Sequence, residues 1–285
     1  MRNFCTTCDI NYLPKALCLY ESIKRHNTNF TLHFLTLDKT AYQKVSSLNL
    51  ENVVLYDLEV LEKKDAQLVA SKTIKPVLYG DEKMQYCWAL TPYFINHVLN
   101  GLQDGEKLLY CDSDIYLYGS PQPIFDSLDS KSVTIHTHRF SGSFDDDNVA
   151  GWYNVGVTGF KKDSIGIDIS KNWKSWLLDT NNPYYERYGT CGDQKYLNLF
   201  SKLWGSDNIC VFDEDCDILH YAPWCTHNPK NQQPLFYHFS HFVTDFQNWR
   251  DSLHGEWNPS KEPHIYNLYL GYFEEHKKIK EKYNL

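Results

Sequence analysis

The stretch Lys107-Leu-Leu-Tyr-Cys-Asp-Ser-Asp-Ile-Tyr-Leu-Tyr118 joins a run of apolar residues to two aspartates separated by a single serine. The run reads as a buried strand, and Asp112 and Asp114 stand at its carboxyl end. Strand alternation sends residues i and i+2 to the same side, so the carboxylates are expected to face one another. Two such like charges raise each other's pKa unless a cation lies between them. A divalent metal held by hard oxygen ligands and shared with a phosphate resolves the conflict. The stretch therefore points to an enzyme that handles a nucleoside diphosphate.

Outward from this segment, strand and helix patterns alternate. Asn3–Cys8, Leu32–Leu37, Val53–Tyr56 and Lys107–Tyr110 read as strands, and Leu13–His26, Ala41–Leu48 and Tyr86–Asn100 as helices. Pro92 within the last of these suits a helix start or a kink. The rhythm implies βαβ units and a largely parallel sheet, in which ligands bind beyond the carboxyl ends of the strands. Val133–His136 and Tyr153–Phe160 are further strands, the latter with glycines at 156 and 159. Phe140–Ala150 is an acidic loop, and helices are expected over Asp168–Leu178 and Gly192–Lys202. Ile209–Phe212 and Ile218–Leu219 read as short strands, Pro234–Phe242 carries His238 and His241, and Ile265–Tyr283 is helical in pattern. Residues 60 to 83 show no clear pattern.

The chain has 285 residues, enough for one large α/β domain with a small addition, and 42% of them are hydrophobic. Its 21 tyrosines and 8 tryptophans suit both a core and a sugar or nucleoside surface. A net charge of −8 argues against nucleic acid as a partner but allows a small anion held by a local positive site. The 9 cysteines are odd in number and several fall in apolar segments, as expected for free thiols in a reducing compartment. Cys5 and Cys8 form a C-x-x-C without a second pair at zinc-ligand spacing. No signal peptide precedes the first strand and no apolar run spans a membrane, so a cytoplasmic location is expected. The lysines at 277, 278, 280 and 282 would allow peripheral contact with an anionic membrane face, and a solvated helix face explains them equally.

Five segments in order, Thr7-Cys-Asp-Ile-Asn-Tyr12, Asp112-Ser-Asp114, Trp152-Tyr-Asn-Val-Gly-Val157, Gly192-Asp-Gln-Lys-Tyr-Leu-Asn198 and Phe236-Tyr-His-Phe-Ser-His-Phe242, resemble the GT-A glycosyltransferases, and most closely the family 8-like enzymes. The resemblance spans roughly residues 3 to 242 and rests on the order of the segments more than on any one. It implies an α/β fold, a Rossmann-like open mixed sheet flanked by helices, with a catalytic domain over residues 1–245 and a small C-terminal helical extension over 246–285. It further implies that Thr7, Asp9, Asn11 and Tyr12 hold the uracil and ribose of a UDP-sugar. Asp112, Ser113 and Asp114 would form the metal and diphosphate site. Asn154, Asp193 and Gln194 would hold the donor sugar, Gln194 near its anomeric carbon, and Gly156 would let the backbone approach. His238 is the expected third protein ligand, with His241 as the other candidate. An imidazole in the set favours Mn²⁺ over Mg²⁺. Asp9, Asn11 and Asp193 also suit ordinary helix caps.

The pattern departs from the family in its cations. Family members follow the histidine with a Lys-Pro-Trp whose lysine meets the diphosphate, whereas this chain continues Val243-Thr-Asp-Phe-Gln-Asn-Trp-Arg250. Arg250 or His241 would have to substitute, and only Lys83 lies near the helix before the acidic motif. The implied activity is transfer of a sugar from the nucleotide to a saccharide or lipid-linked glycan with retention. An inverting enzyme would need a carboxylate base, for which Asp145–Asp147 and Asp213–Asp217 are candidates. A silent nucleotide-sugar-binding protein, a nucleotidyltransferase and a metal-dependent hydrolase are the other readings. The lack of a glycine-rich loop after the first strand weighs against the second of these.

Overall fold

The computed structural model describes residues 1–78, 80–139, 149–216, 218–222, 233–240, 242 and 263–285. The chain opens with β1 (Arg2–Cys8), α1 (Leu13–His26), β2 (Phe30–Thr36), α2 (Lys39–Leu48) and β3 (Val53–Asp57). Two short helices follow, α3 (Leu58–Glu62) and α4 (Ala66–Ala70), where the sequence showed no pattern. Asp57 and Asp65 start them by accepting from backbone N–H groups of their first turns. Then come α5 (Glu82–Gly101), β4 (Lys107–Cys111), β5 (Ile115–Leu117), α6 (Gln122–Ser130), β6 (Val133–Thr137), β7 (Tyr153–Lys161) and α7 (Ser164–Leu178). The chain closes with α8 (Tyr185–Tyr188), α9 (Phe200–Trp204), β8 (Ile209–Val211), α10 (Phe212–Asp215), β9 (His220–Tyr221), β10 (Phe236–His238) and α11 (Pro263–Tyr283).

Seven strands form one sheet in the order β3-β2-β1-β4-β7-β6-β8. The pairs among β3, β2, β1 and β4 are parallel, and β7 is antiparallel to both β4 and β6. From β1 the chain first builds outward to β3 and then returns to place β4 on the other side of β1. The sheet thus has its switch point between β1 and β4, where a crevice opens beyond their carboxyl ends. Cores lie on both faces of the sheet. One gathers α1, α6 and α11, and the other gathers α5 and α7. Cys5 and Cys8 fall into different cores because they lie three apart on a strand, so they cannot share a metal. A second sheet, β5-β10-β9, carries His238 opposite Ile115. Against its outer side α11 packs Tyr272 on Phe239, ring centroids 3.8 Å apart.

Several element boundaries differ from the sequence expectation for identifiable reasons. Helix α5 starts earlier than Tyr86 because Asp81 caps it, accepting from the Met84 N–H at 2.8 Å, and it runs through Pro92. Helix α7 starts before Asp168 because Asp163 accepts from the Gly166 N–H. The segment expected as a helix over Gly192–Lys202 is a 3₁₀ stretch over Gln194–Leu199 followed by the single turn α9. Gly192 turns this corner at φ +54, where an added Cβ would lie 2.3 Å from the Trp88 indole, so no other residue fits. Ile218–Leu219 is not a strand, because the Ile218 N–H closes back on the Phe212 carbonyl; the paired residues are the next two. The loop expected at Phe140–Ala150 lies, over residues 140–148, outside the described residues.

Candidate active site

A cleft of about 910 Å³ opens at the switch point. Asp112 and Asp114 do converge there, but through a turn and not through strand alternation. Strand β4 ends at Cys111, and the Ile115 N–H donates to the Asp112 carbonyl across the turn at 3.0 Å. Ser113 sits at its apex and lines the cleft. The second sheet brings in His238, whose Nε2 lies 3.1 Å from Asp114 Oδ1 and 3.6 Å from Asp112 Oδ2. One ligand atom from each of the three residues falls within 4.8 Å of the others.

The residues around this triad hold its members in orientation. Asn154 is 3% exposed, and its amide makes four contacts. Oδ1 accepts from the Gly156 N–H at 2.9 Å and faces His238 Nδ1 at 3.2 Å. Nδ2 donates to Gln194 Oε1 and to His138 Nε2, both at 3.0 Å. The Gly156 N–H can only donate, which fixes Asn154 Oδ1 as an acceptor and places the His238 proton on Nδ1. His238 Nε2 is thereby turned toward the carboxylates with its lone pair available to a metal, the arrangement that orients a histidine ligand. Gly156 has a matching purpose. A Cβ there would stand 2.7 Å from His238 Nδ1, so the glycine is the seat of the imidazole. Tyr110 donates to Asp112 Oδ1 at 2.7 Å, and its oxygen lies 3.3 Å from the Thr91 hydroxyl.

The electrostatics fit a cation site. Burial and the neighbouring Asp114 raise the Asp112 pKa, with His238 opposing. Burial acts in the same direction on Asp114, but His238 and Lys15 outweigh it and bring the pKa to about 2. Burial lowers the His238 pKa, yet the two carboxylates more than compensate and leave it raised. Two hard oxygens and one directed imidazole nitrogen suit Mn²⁺ or a similar divalent ion. These residues therefore fit the metal that the fold leads one to expect.

The other expected site residues divide into groups. Thr7, Asp9 and Tyr12 line the cleft beyond β1. Asp9 Oδ1 accepts from the Tyr12 N–H at 3.0 Å and so shapes the loop, while Tyr12 leaves its ring 43% exposed. Asn11 is exposed, donates to Asp9 Oδ2 and is not part of the cleft wall. Asp193 lines the cleft with only 2% exposure, and its Oδ2 has no hydrogen-bond partner. Burial, with Asp112 adding, raises its pKa well above the carboxylate range. Gln194 lines the cleft too, with its amide spent on Asn154 and on the Ala150 carbonyl. His241, Arg250, Asp145–Asp147 and Asp217 lie outside the described residues. Asp213 is removed from the cleft, clasped by Thr137, Arg139 and His220.

The sequence reading missed Tyr110, Thr91, His138 and Lys15. Tyr110 stands two residues before Asp112, and alternation could have pointed to it. The others are brought in by packing between distant segments.

No protein-family model matches the chain. A relative from Bacillus subtilis, the uncharacterized protein YfnF, is 27% identical over 216 residues, covering 73% of this chain and 67% of its own length. Among solved structures, mouse xyloside xylosyltransferase 1 superposes with a TM-score of 0.58 at 15% identity, over 84% of this chain and 97% of its own. The galactosyltransferase LgtC, solved with donor and acceptor sugar analogs, gives 0.54 at 14% identity, over 84% of this chain and 87% of its own. The fold is that of the GT-A glycosyltransferases.

Proposed function

We propose that this protein is a metal-dependent glycosyltransferase that takes a sugar from a UDP-sugar and passes it to a glycan or lipid-linked glycan with retention. The observation that carries the proposal is the Asp112–Asp114–His238 triad, held in register by Asn154 and Gly156 at the switch point of a GT-A sheet. A divalent cation bound there would supply Lewis-acid stabilisation of the charge on the departing diphosphate. The protein's own residues would do the rest. Thr7 and Asp9 border the place for the nucleoside, and the half-open Tyr12 ring offers it a stacking face. Asp193 lines the cleft and has a buried carboxyl oxygen without a partner among the described residues, to which a donor-sugar hydroxyl would donate. Asn154 and Gln194, bonded to one another, form a fixed wall against which the sugar is oriented. Trp152, 57% exposed just before β7, offers an apolar face for an acceptor sugar.

Retention is favoured by the carboxylate inventory. Among the described residues, the cleft carboxylates are Asp9, Asp81, Asp112, Asp114 and Asp193. Asp9 and Asp81 are bound to backbone N–H groups and the next two form the triad, which leaves Asp193, hydrogen-bonded to Thr91 but with Oδ2 unpartnered. In a retaining route the acceptor proton passes to an oxygen of the leaving phosphate and no protein base is needed. The orphaned Asp193 oxygen favours a second reading, inversion with Asp193 as base. Incubation with a panel of UDP-sugars, Mn²⁺ and saccharide acceptors, followed by NMR of the new anomeric centre, separates the two. A product with the donor's configuration supports retention, and the opposite configuration assigns the base to Asp193. Donor turnover undiminished in EDTA would remove the metal from the proposal.

A further inference from the structure

Lys15 lies in the first turn of α1, three residues beyond Tyr12, and is only 8% exposed. A lysine this buried is ordinarily paired with a carboxylate. Here, among the described residues, its ammonium makes no ion pair or hydrogen bond and lies over the Tyr12 ring, 4.3 Å from the centroid. Tyr12 is part of the cleft wall. The start of α1 has no side-chain cap from Tyr12 and no acidic residue in its first turn, and beyond the Asp9 carboxylate on the Tyr12 N–H the helix end adds positive potential to that of the lysine. A cation there opposes the helix dipole unless an anion joins both.

We infer that Lys15 is an anion-binding residue behind the Tyr12 wall of the cleft, whose ammonium would meet the diphosphate of the nucleotide once the Asp112–Asp114–His238 site holds its cation. This rests on the nucleotide-sugar reading above and supplies a positive partner for the diphosphate in place of the lysine of the Lys-Pro-Trp segment, which this sequence lacks. The burial against the Tyr12 ring of an ammonium unpaired among the described residues is the observation behind this inference. The charge that acts on the ammonium is that of Asp114. A divalent cation neutralises the two carboxylates, and the buried ammonium is then left without a counter-charge. A diphosphate held by Lys15 and the start of α1 would restore the balance, since its charge would offset both the ammonium and a cation held by Asp112, Asp114 and His238. Metal and diphosphate should therefore bind cooperatively, with Lys15 contributing to the second and not to the first. A lysine kept only for packing would show no such division.

The test uses the full chain, Mn²⁺ alone, and inorganic pyrophosphate with Mn²⁺, followed by calorimetry. Lys15→Met is expected to bind Mn²⁺ at least as tightly as the wild type and Mn²⁺-pyrophosphate about ten- to a hundredfold more weakly. Lys15→Arg, which keeps the charge, should retain most of the affinity. Unchanged pyrophosphate binding by Lys15→Met, equal losses of Mn²⁺ and pyrophosphate, or no Mn²⁺-dependent pyrophosphate binding by the wild type would each overturn the inference. Should Lys15→Met fail to fold, the wild-type Lys15 side-chain NMR signals, identified by their loss in Lys15→Arg, decide. They should shift when pyrophosphate is added with Mg²⁺, and an absence of shift overturns the inference. A panel of nucleotide sugars that yields no turnover, while pyrophosphate still distinguishes Lys15→Met, would sink the transferase reading and leave the anion site standing. Turnover by Lys15→Met with a wild-type KM for the donor would do the reverse.

Discussion

Gly156→Ala tests how the metal ligand is seated. The added Cβ would lie 2.7 Å from His238 Nδ1 and 2.8 Å from both His238 Cε1 and Asn154 Oδ1. To restore an ordinary contact of 3.4 Å, the imidazole must move by 0.7 Å, the difference from 2.7 Å. The ring cannot yield that distance while keeping its 3.2 Å contact to Asn154 Oδ1 and its 3.1 Å approach to Asp114 Oδ1. The extra methyl should destabilise the fold by about 1–3 kcal/mol. Misdirecting Nε2 should weaken Mn²⁺ binding by roughly ten- to a hundredfold, as for loss of an outer-shell partner. Gly159→Ala is the matched control. Its Cβ would meet Thr134 Cγ2 at 2.5 Å in the core, so it should destabilise comparably while leaving metal affinity intact. Mn²⁺ calorimetry and denaturant unfolding of both variants read the two effects apart. Wild-type Mn²⁺ affinity in folded Gly156→Ala would refute the reasoning, as would equal losses in both variants.

Tyr110, Asp193 and His33 each carry a further prediction. Tyr110→Phe removes the donor to Asp112 Oδ1 and should lower Mn²⁺ affinity by about tenfold with little change in melting temperature; an unaltered titration would count against it. Asp193→Asn should leave Mn²⁺ and UDP binding near the wild-type level and reduce sugar transfer by about ten- to a hundredfold, so parallel loss of UDP binding would contradict its place at the sugar. His33, bonded to Tyr56 and with Nε2 buried without a partner, has its pKa lowered from 6.5 to about 4, chiefly by burial and also by His97. Its folded pKa lies below its unfolded one, so the unfolded chain binds the proton first. Its contribution is full above pH 6.5, fades as pH falls toward 4, and amounts to about 3 kcal/mol over that window. His33→Gln should flatten this part of the stability–pH curve in denaturant titrations at pH 7 and 4, and an unchanged slope would discount the histidine.

Residues whose meaning is local were legible in the sequence. Apolar runs locate β1 and β4, and Asp112 and Asp114 read as metal-ligand types at the end of an apolar segment, whereas His238 is suggested only by the resemblance to the family 8-like enzymes. Asn154 and Gly156 were noticed for a different reason. Their residue types suggest contact with a sugar, and the fold adds that Asn154 directs His238 across 84 residues of chain and that Gly156 makes room for the same ring. No spacing rule exposes such a relation, because it exists only after β7 and β10 have been brought beside β4 and β5. The 3₁₀ path of Gln194–Leu199 was hidden for a similar reason, since the Trp88 indole that crowds Gly192 comes from α5. Lys15 reads as an ordinary helix-surface lysine until the burial of α1 removes it from water. Caps were legible in principle: Asp81 and Asp163 precede their helices as cap residues should, and they set starts earlier than apolar periodicity alone suggested.

The most direct test of the whole account is release of UDP from a panel of UDP-sugars by the purified protein, measured with Mn²⁺ and with EDTA, for the wild type and Asp114→Asn. The account predicts at least one donor turned over with Mn²⁺, and that turnover lost both in EDTA and in a folded Asp114→Asn variant. UDP release at the wild-type rate in EDTA, or from Asp114→Asn, would contradict it.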